Sequence, residues 1–264
     1  MENFSYHRPA SVADAVKLIK QASDGKFLSG GMTLIPTMKQ GLAAPSDIID
    51  LGGLKNSGVS ASGDTVTIKA GTVHADVAAN KDLAKSIPGL ATLAGGIGDP
   101  HVRHRGTIGG SISNNDPAAD YPSAVVGLNA TVHTSARKID GDKFFTGLFE
   151  TALASDEIVT AVEFPVPKKS GYAKFPNPAS RYAMVGVFVA QLKDGSVRVA
   201  VTGAGPKVFR ATEIEKALEK NFSADAIAGI KIDAKGLNGD IHASPEYRAH
   251  LVNVMARRAV AAAK

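Results

Sequence analysis

The 264-residue sequence contains no cysteine. Without cysteine the chain can form no disulfide, offers no thiolate nucleophile, and cannot by itself hold cysteine-ligated zinc or an iron–sulfur cluster. No histidine spacing suggests a zinc site either, so we expect no metal in this chain. Any redox centre that it contains must therefore be organic, or must lie in another subunit.

Long apolar runs and stacking aromatics are also missing. No apolar run approaches the roughly 18–20 residues that span a bilayer, and the N-terminus lacks the basic, then apolar, layout of a signal peptide. We therefore expect no membrane span and a cytoplasmic location. The formal net charge is +5, but the basic residues are scattered and tryptophan is absent, so we do not expect nucleic-acid binding.

Two glycine-rich loops about eighty residues apart are the most informative feature that is present. The first glycine loop is Phe27–Leu34 (FLSGGMTL), and the second glycine loop is Thr107–Ser111 (TIGGS). Glycine allows positive φ and close approach of N–H groups to an anion, and a following helix N-terminus adds positive potential. Neither loop has the spacing of a Rossmann or P-loop motif. One interpretation is that both loops are plain turns. The other is that the two loops together bind the two phosphates of one dinucleotide.

Residue periodicity predicts a mixed α/β region up to about residue 170, followed by a smaller α+β domain. Predicted helices cover 11–22, 34–39, 74–86, 121–128, 212–220 and 244–263, the last with a frayed surface end. Predicted strands cover 47–51, 65–70, 130–134, 183–192 and 197–202, the last two joined by an Asp194-Gly195 hairpin turn. Pro88 is expected to end the third helix, and 95–100 to be irregular. The proline-rich segment 165–178 is expected to be a connector with only intermittent order.

Several segments together resemble the FAD-binding medium subunit of molybdenum hydroxylases, the family of aerobic carbon monoxide dehydrogenases and bacterial aldehyde or xanthine dehydrogenases. The resemblance covers nearly the whole chain. It is carried by 4–9 (FSYHRP), 29–34 (SGGMTL), 103–110 (RHRGTIGG), 115–122 (NDPAADYP), 178–182 (PASRY) and 201–205 (VTGAG).

The resemblance implies an α+β fold. It consists of a two-subdomain FAD-binding fold of the vanillyl-alcohol oxidase (PCMH) type over residues 1–170, with subdomains of about 1–55 and 56–170. A smaller C-terminal α/β domain of the carbon monoxide dehydrogenase flavoprotein type follows over 171–264. FAD is expected to be bound non-covalently. The implied partners are a large subunit with the molybdenum cofactor and a small subunit with 2Fe-2S clusters, arranged as a dimer of heterotrimers.

The resemblance also implies a role and a set of cofactor contacts. The role is to pass electrons from the 2Fe-2S clusters through FAD to an external acceptor, and it requires no catalytic acid or base from this chain. Asp120 is expected to contact the sugar or adenine side of FAD, and Ile97 is expected to lie near the flavin. Val159 and Lys174 are expected contacts that precede and follow the connector. The remaining expected contacts are Phe27, Leu28, Ser29, Gly30, Gly31, Met32, Thr33, Leu34, Thr107, Ile108, Gly109, Gly110 and Ser111.

Some alternatives stay open at this stage. Asp120 precedes Tyr121-Pro122 and could cap a helix, bind the cofactor, or do both. We interpret the cluster His101–Arg105 as a solvated loop or partner surface rather than a diphosphate site, and His74 as structural rather than as a covalent flavin anchor. The chain could also be a self-contained flavin-dependent oxidoreductase, or an assembly module that has lost its cofactor.

Overall fold

A computed structural model describes residues 1–264, with eleven α-helices and fourteen strands. The strands are β1 (Ser5–His7), β2 (Gly25–Leu28), β3 (Asp47–Asp50), β4 (Val59–Ser62), β5 (Thr65–Lys69), β6 (Thr131–Thr134), β7 (Lys138–Asp140), β8 (Phe145–Gly147), β9 (Glu150–Thr151), β10 (Val159–Pro165), β11 (Lys169–Pro176), β12 (Ala183–Gln191), β13 (Val197–Thr202) and β14 (Phe209–Arg210). The helices are α1 (Val12–Gln21), α2 (Leu34–Lys39), α3 (His74–Ala79), α4 (Lys81–Ser86), α5 (Pro88–Gly95), α6 (Pro100–Arg103), α7 (Ile108–Asn114), α8 (Tyr121–Gly127), α9 (Gly141–Phe144), α10 (Thr212–Lys220) and α11 (Pro245–Ala262). None of the helices is both long and apolar enough to cross a bilayer.

The N-terminal part of the chain forms a small parallel sheet in the order β1-β3-β2. Helix α1 begins where predicted, because the Ser11 hydroxyl accepts a hydrogen bond from the Asp14 N–H at 3.1 Å. Its buried Ala15 packs on Ile49 of β3. Strand β2 leads directly into the first glycine loop, and the loop leads into α2. The sheet therefore fixes where this loop begins.

The middle of the chain forms a five-stranded antiparallel sheet in the order β4-β5-β10-β6-β7. Helices α3, α5, α7 and α8 bury their apolar side chains in the main hydrophobic core, which also includes Val66, Val132 and Phe164 of the sheet. The second glycine loop opens α7, and Thr107 pairs with Val73 in an isolated antiparallel bridge. This bridge places the second loop beside the start of α3.

The C-terminal part forms an antiparallel sheet in the order β11-β12-β13-β14. Strand β12 is buried along nearly its whole length because both faces of this sheet are covered. Val187 and Val199 face a core shared with α10 and α11, whereas Phe188 and Ala200 face the main core with α8. The mixed α and β architecture agrees with the predicted fold class.

Two local predictions were wrong. The helix predicted over 74–86 is interrupted at Asn80, whose side chain accepts from the Leu83 N–H at 2.9 Å and begins α4. The end before Pro88 was predicted correctly, since α4 stops at Ser86; Pro88 then starts α5 as its first residue, where its missing N–H costs nothing. The expected connector contains strand β11, which pairs along its length with β12.

Candidate cofactor-binding cleft

A large cleft runs between the small parallel sheet and the five-stranded region. Its volume is about 950 Å³, near the upper end of the roughly 300–1,000 Å³ typical of ligand sites. Both glycine loops lie in its wall, and so do Ile97, Asp120 and Val159. All of the residues proposed from the sequence line the cleft except Ile108 and Lys174. The cleft has room for an extended dinucleotide.

The first glycine loop presents free hydrogen-bond donors. None of the backbone N–H groups from Ser29 to Leu34 donates to another protein atom. Gly31 turns the chain with φ of +75°, a conformation that favours glycine. Successive free N–H groups around such a turn form a concavity that binds anions. This loop therefore has the geometry of a phosphate cradle.

The second glycine loop is built differently, because the N–H groups of residues 108–111 already donate within the protein. The Ile108 N–H donates to the Thr72 carbonyl at 3.1 Å, and that of Gly109 donates to the Ala70 carbonyl at 2.9 Å. The Gly110 N–H donates to the Thr107 hydroxyl at 3.1 Å. The Ile108 side chain is fully buried, which explains its absence from the cleft wall. The loop thus offers a cofactor chiefly its surface and the side chains of Thr107 and Ser111.

The two loops touch each other. The hydroxyls of Ser29 and Thr107 lie 2.8 Å apart. A Cβ atom placed on Gly30 would come closer than 3.0 Å to the backbone of Arg105 and Gly106. Only glycine at position 30 permits this approach, so the second loop supports the first.

Asp120 does not cap α8, so that alternative is wrong: its side chain makes no capping hydrogen bond. Instead the buried carboxylate accepts from the Tyr172 hydroxyl and pairs with the Lys174 ammonium at 3.0 Å. Lys174 also donates to the Gly96 carbonyl at 2.8 Å. Burial raises the pKa of Asp120, while Lys174 and Tyr172 oppose that rise. Lys174 lies behind the cleft wall and holds both Asp120 and the loop that carries Ile97.

The basic cluster before the second loop divides into different roles. Arg103 donates to the carbonyls of Ile97 and Gly98 at 2.9 and 3.2 Å, so it braces the 96–99 turn. The His104 ring contacts the Pro100 carbonyl at 2.7 Å. Arg105 is exposed at the cleft, and its guanidinium has no hydrogen-bond partner in the protein. Arg105 is the member of this cluster best placed to attract an anionic ligand.

Sequence reasoning did not assign several residues of the cleft wall. Tyr182 lines the cleft. It lies in the 178–182 segment that carries part of the family resemblance, but no cofactor contact was predicted for it. His74 and Glu157 also line the cleft, but neither lies in a recognisable motif. Their positions depend on packing between distant segments, which a single sequence does not show.

Glu157 in the cleft wall forms an ion pair with Arg137. Its carboxylate accepts from Arg137 at 3.0 Å, and this pairing is the main reason why its pKa falls from 4.5 to about 2. The pair therefore contributes stability that is present above pH 4.5 and is lost as the pH falls towards 2.

We expect the Arg137→Met variant to have a lower free energy of unfolding than wild type at pH 7, because the Glu157 carboxylate loses its cationic partner. The difference from wild type should shrink as the pH falls to 3. Denaturant unfolding at both pH values checks this. Lys193→Met, which removes the exposed Lys193–Asp64 pair, is the control and should change stability little. An equal loss from Arg137→Met at both pH values would contradict the assignment.

Comparison with known proteins identifies the family. Residues 2–167 match the model of the FAD binding domain in molybdopterin dehydrogenase. The chain belongs to this family. Residues 170–263 match the carbon monoxide dehydrogenase flavoprotein C-terminal domain.

Relatives of this molybdopterin dehydrogenase family match along almost their whole length. The medium subunit of nicotine 6-hydroxylase from Paenarthrobacter nicotinovorans is 35% identical, with 97% of this chain and 95% of the relative covered. The medium chain of carbon monoxide dehydrogenase from Hydrogenophaga pseudoflava is 32% identical over 98% of this chain and 96% of the relative. Reconstituted carbon monoxide dehydrogenase from Oligotropha carboxidovorans matches with a TM-score of 0.88 at 30% identity, covering 98% of this chain and 97% of that one.

These matches confirm the resemblance, the fold class and the expected cofactor. The protein is an FAD-binding medium subunit of the kind found in molybdenum hydroxylase complexes, which are oxidoreductases. In the homologous complexes, other subunits hold the molybdenum cofactor and the iron–sulfur clusters. The absence of cysteine from this chain fits that division.

Proposed function

We propose that this subunit carries electrons from the 2Fe-2S clusters of a small partner subunit to an external acceptor, using FAD bound in the cleft. The observation that supports this most is the first glycine loop, whose free N–H groups line a cleft of dinucleotide size. Bound FAD supplies the one- and two-electron redox chemistry that no side chain of this chain offers.

The arrangement of the cleft suggests how its residues divide the binding work. Free N–H groups from Ser29 to Leu34 would take the diphosphate, and the second loop would hold them in place. The exposed guanidinium of Arg105 adds positive potential at the same loops. Carboxylates are poor partners for phosphate, so the Asp120–Lys174 pair belongs at another part of the cofactor, with Ile97 and Tyr182.

We further propose a division of the chain into 1–170, with subdomains of about 1–55 and 56–170, and 171–264. Strand β10 ends at Pro165 and β11 begins at Lys169, so the boundary falls at the start of β11. The dimer of heterotrimers and the cytoplasmic location remain predictions. So do the individual FAD contacts.

The test is electron flow through the assembled complex. The chain is co-purified with its large and small partners, and one sample is stripped of flavin with mild chaotrope. After the clusters are reduced with limiting dithionite, their reoxidation by added quinone, nicotinamide or oxygen is followed by electron paramagnetic resonance.

The proposal predicts fast reoxidation in the FAD-loaded complex and slow reoxidation in the stripped one, with recovery when FAD is returned. Equal rates in both samples would contradict it. Flavin reduction by an organic substrate in the isolated chain would instead support the self-contained flavoenzyme.

A further inference from the structure

Two buried polar atoms, one of them in a residue that lines the cleft, have no hydrogen-bond partner in the protein. They are Nδ1 of His74 and the hydroxyl of Tyr121. His74 is 4% exposed and Tyr121 is fully buried, and their ring centroids lie 5.3 Å apart. Buried polar groups are almost always paired in folded proteins. An adjacent unpaired donor and acceptor therefore need an explanation.

The position of the His74 ring is fixed by its backbone and by the second glycine loop. The His74 N–H donates to the Gly106 carbonyl at 3.0 Å, beside the bridge between Val73 and Thr107. The Nε2 edge of the ring lies against Gly106, so closely that a Cβ there would come within 2.6 Å of Nε2. Gly106 and His74 both line the cleft. The ring thus lies next to the Tyr121 ring and has its Nε2 edge against Gly106, a residue of the cleft wall.

His74 is neutral at physiological pH. Burial, together with the positive charge of Arg103, lowers its pKa from 6.5 to about 4. Burial also raises the pKa of Tyr121, helped by Asp120, so the Tyr121 hydroxyl keeps its proton. A neutral imidazole has one donor and one acceptor nitrogen. A hydroxyl or a buried water that donates to Nδ1 leaves the imidazole proton on Nε2.

We propose that His74 is a cofactor-contacting residue whose Nε2–H donates to the dinucleotide in the cleft, with Nδ1 held by a water shared with Tyr121. The inference rests on the proposed FAD binding in the cleft. A structural histidine would use its ring to tie protein segments together, but this side chain makes no hydrogen bond to the protein. Its hydrogen-bonding capacity is free for a ligand.

The test uses the full chain and separates cofactor affinity from stability. The Kd for FAD is measured by quenching of FAD fluorescence, and Tm is measured without FAD. His74→Leu removes both nitrogens and should weaken FAD binding about 10- to 100-fold, the effect of one hydrogen bond to a charged acceptor. Its cofactor-free Tm should not fall, because an unpaired buried nitrogen has been removed. His74→Gln, which keeps a donor near Nε2, should stay within a few-fold of wild type.

An unchanged Kd in His74→Leu would overturn the inference, and a lowered Tm with unchanged Kd would show a structural histidine instead. Nitrogen-15 NMR of the wild type gives a readout that needs no variant: the inference requires the Nε2–H tautomer. The Nδ1–H tautomer would overturn it. Failure of the wild-type chain to bind FAD would instead contradict the proposed function.

Discussion

Replacing Gly30 with alanine is expected to weaken FAD binding by about 100-fold and to lower the Tm of the chain. The added Cβ would lie closer than 3.0 Å to the Arg105 carbonyl and to the Cα of Gly106. These are backbone atoms that cannot rotate away, so the two glycine loops must separate. Overpacking of this kind costs about 1–3 kcal/mol, and here the strain falls on the loop whose free N–H groups are proposed to bind the diphosphate. Fluorescence titration with FAD checks the affinity.

Two glycines provide matched controls for this variant. A Cβ on Gly110 would meet the Thr107 hydroxyl at 3.1 Å and the Ser29 Cβ at 3.7 Å, so Gly110→Ala should reduce affinity only a few-fold. A Cβ on Gly229 would meet nothing within 4 Å, and Gly229→Ala should behave like wild type. If Gly30→Ala binds FAD as tightly as these controls do, the close contact between the loops is not needed for the site.

The second large effect is expected from Lys174→Met, which leaves the buried Asp120 carboxylate without its cation. Removing one partner of a buried pair typically costs about 3–5 kcal/mol. The variant also frees the Gly96 carbonyl, which Lys174 now binds at 2.8 Å. We therefore expect a large loss of unfolding free energy and a loosened loop around Ile97.

The pH dependence of Lys174→Met follows from the raised pKa of Asp120. Burial makes the folded state hold this proton more tightly than the unfolded state does. The contribution to stability is therefore greatest below the ordinary pKa of 3.8 and declines as the pH rises through the raised value. Without Lys174 the pKa rises further, so the decline extends to higher pH.

Thermal unfolding of Lys174→Met between pH 5 and pH 8 measures this trend. We expect the Tm of the variant to fall with rising pH more steeply than that of wild type. The exposed Lys193→Met variant is again the control and should follow wild type at each pH. A Lys174→Met protein as stable as wild type at pH 8 would show that the Asp120–Lys174 pair is not important to the fold.

Local signals in the sequence predict much of the fold. Ser11 with Asp14 marks the start of α1, and Asp194-Gly195 joins β12 and β13 at the expected hairpin. These features depend on residues a few positions apart. The two glycine loops were equally visible because their composition is unusual.

The features that the sequence did not predict depend on distant contacts. Pro165 and Pro176 stand at the ends of β10 and β11, where they leave the hydrogen bonds between the strands intact. The proline-rich segment was therefore predicted to be a connector, although it contains β11. The alanine-rich end of α11 was expected to fray, but Ala259 is fully buried. A Cβ on Gly171 of β11 would come closer than 3.0 Å to the Ala259 carbonyl, so small residues on both elements allow this close packing.

The site shows the same limit. Asp120 could be read as a cap from its neighbours Tyr121 and Pro122, whereas its actual partners lie more than fifty residues away. In the second glycine loop, the N–H groups of Ile108 and Gly109 are taken by the carbonyls of residues 72 and 70. Only the folded chain shows that one loop offers free donors and that the other supports it.

The most direct test of the central claim is the visible absorption spectrum of the purified full chain, followed by acid precipitation and chromatography of the released flavin. The account predicts the bands of oxidised flavin, colour that leaves the precipitated protein, and FAD as the released species. A colourless protein that takes up no added FAD would contradict the account. Colour that stays with the denatured protein would contradict non-covalent binding.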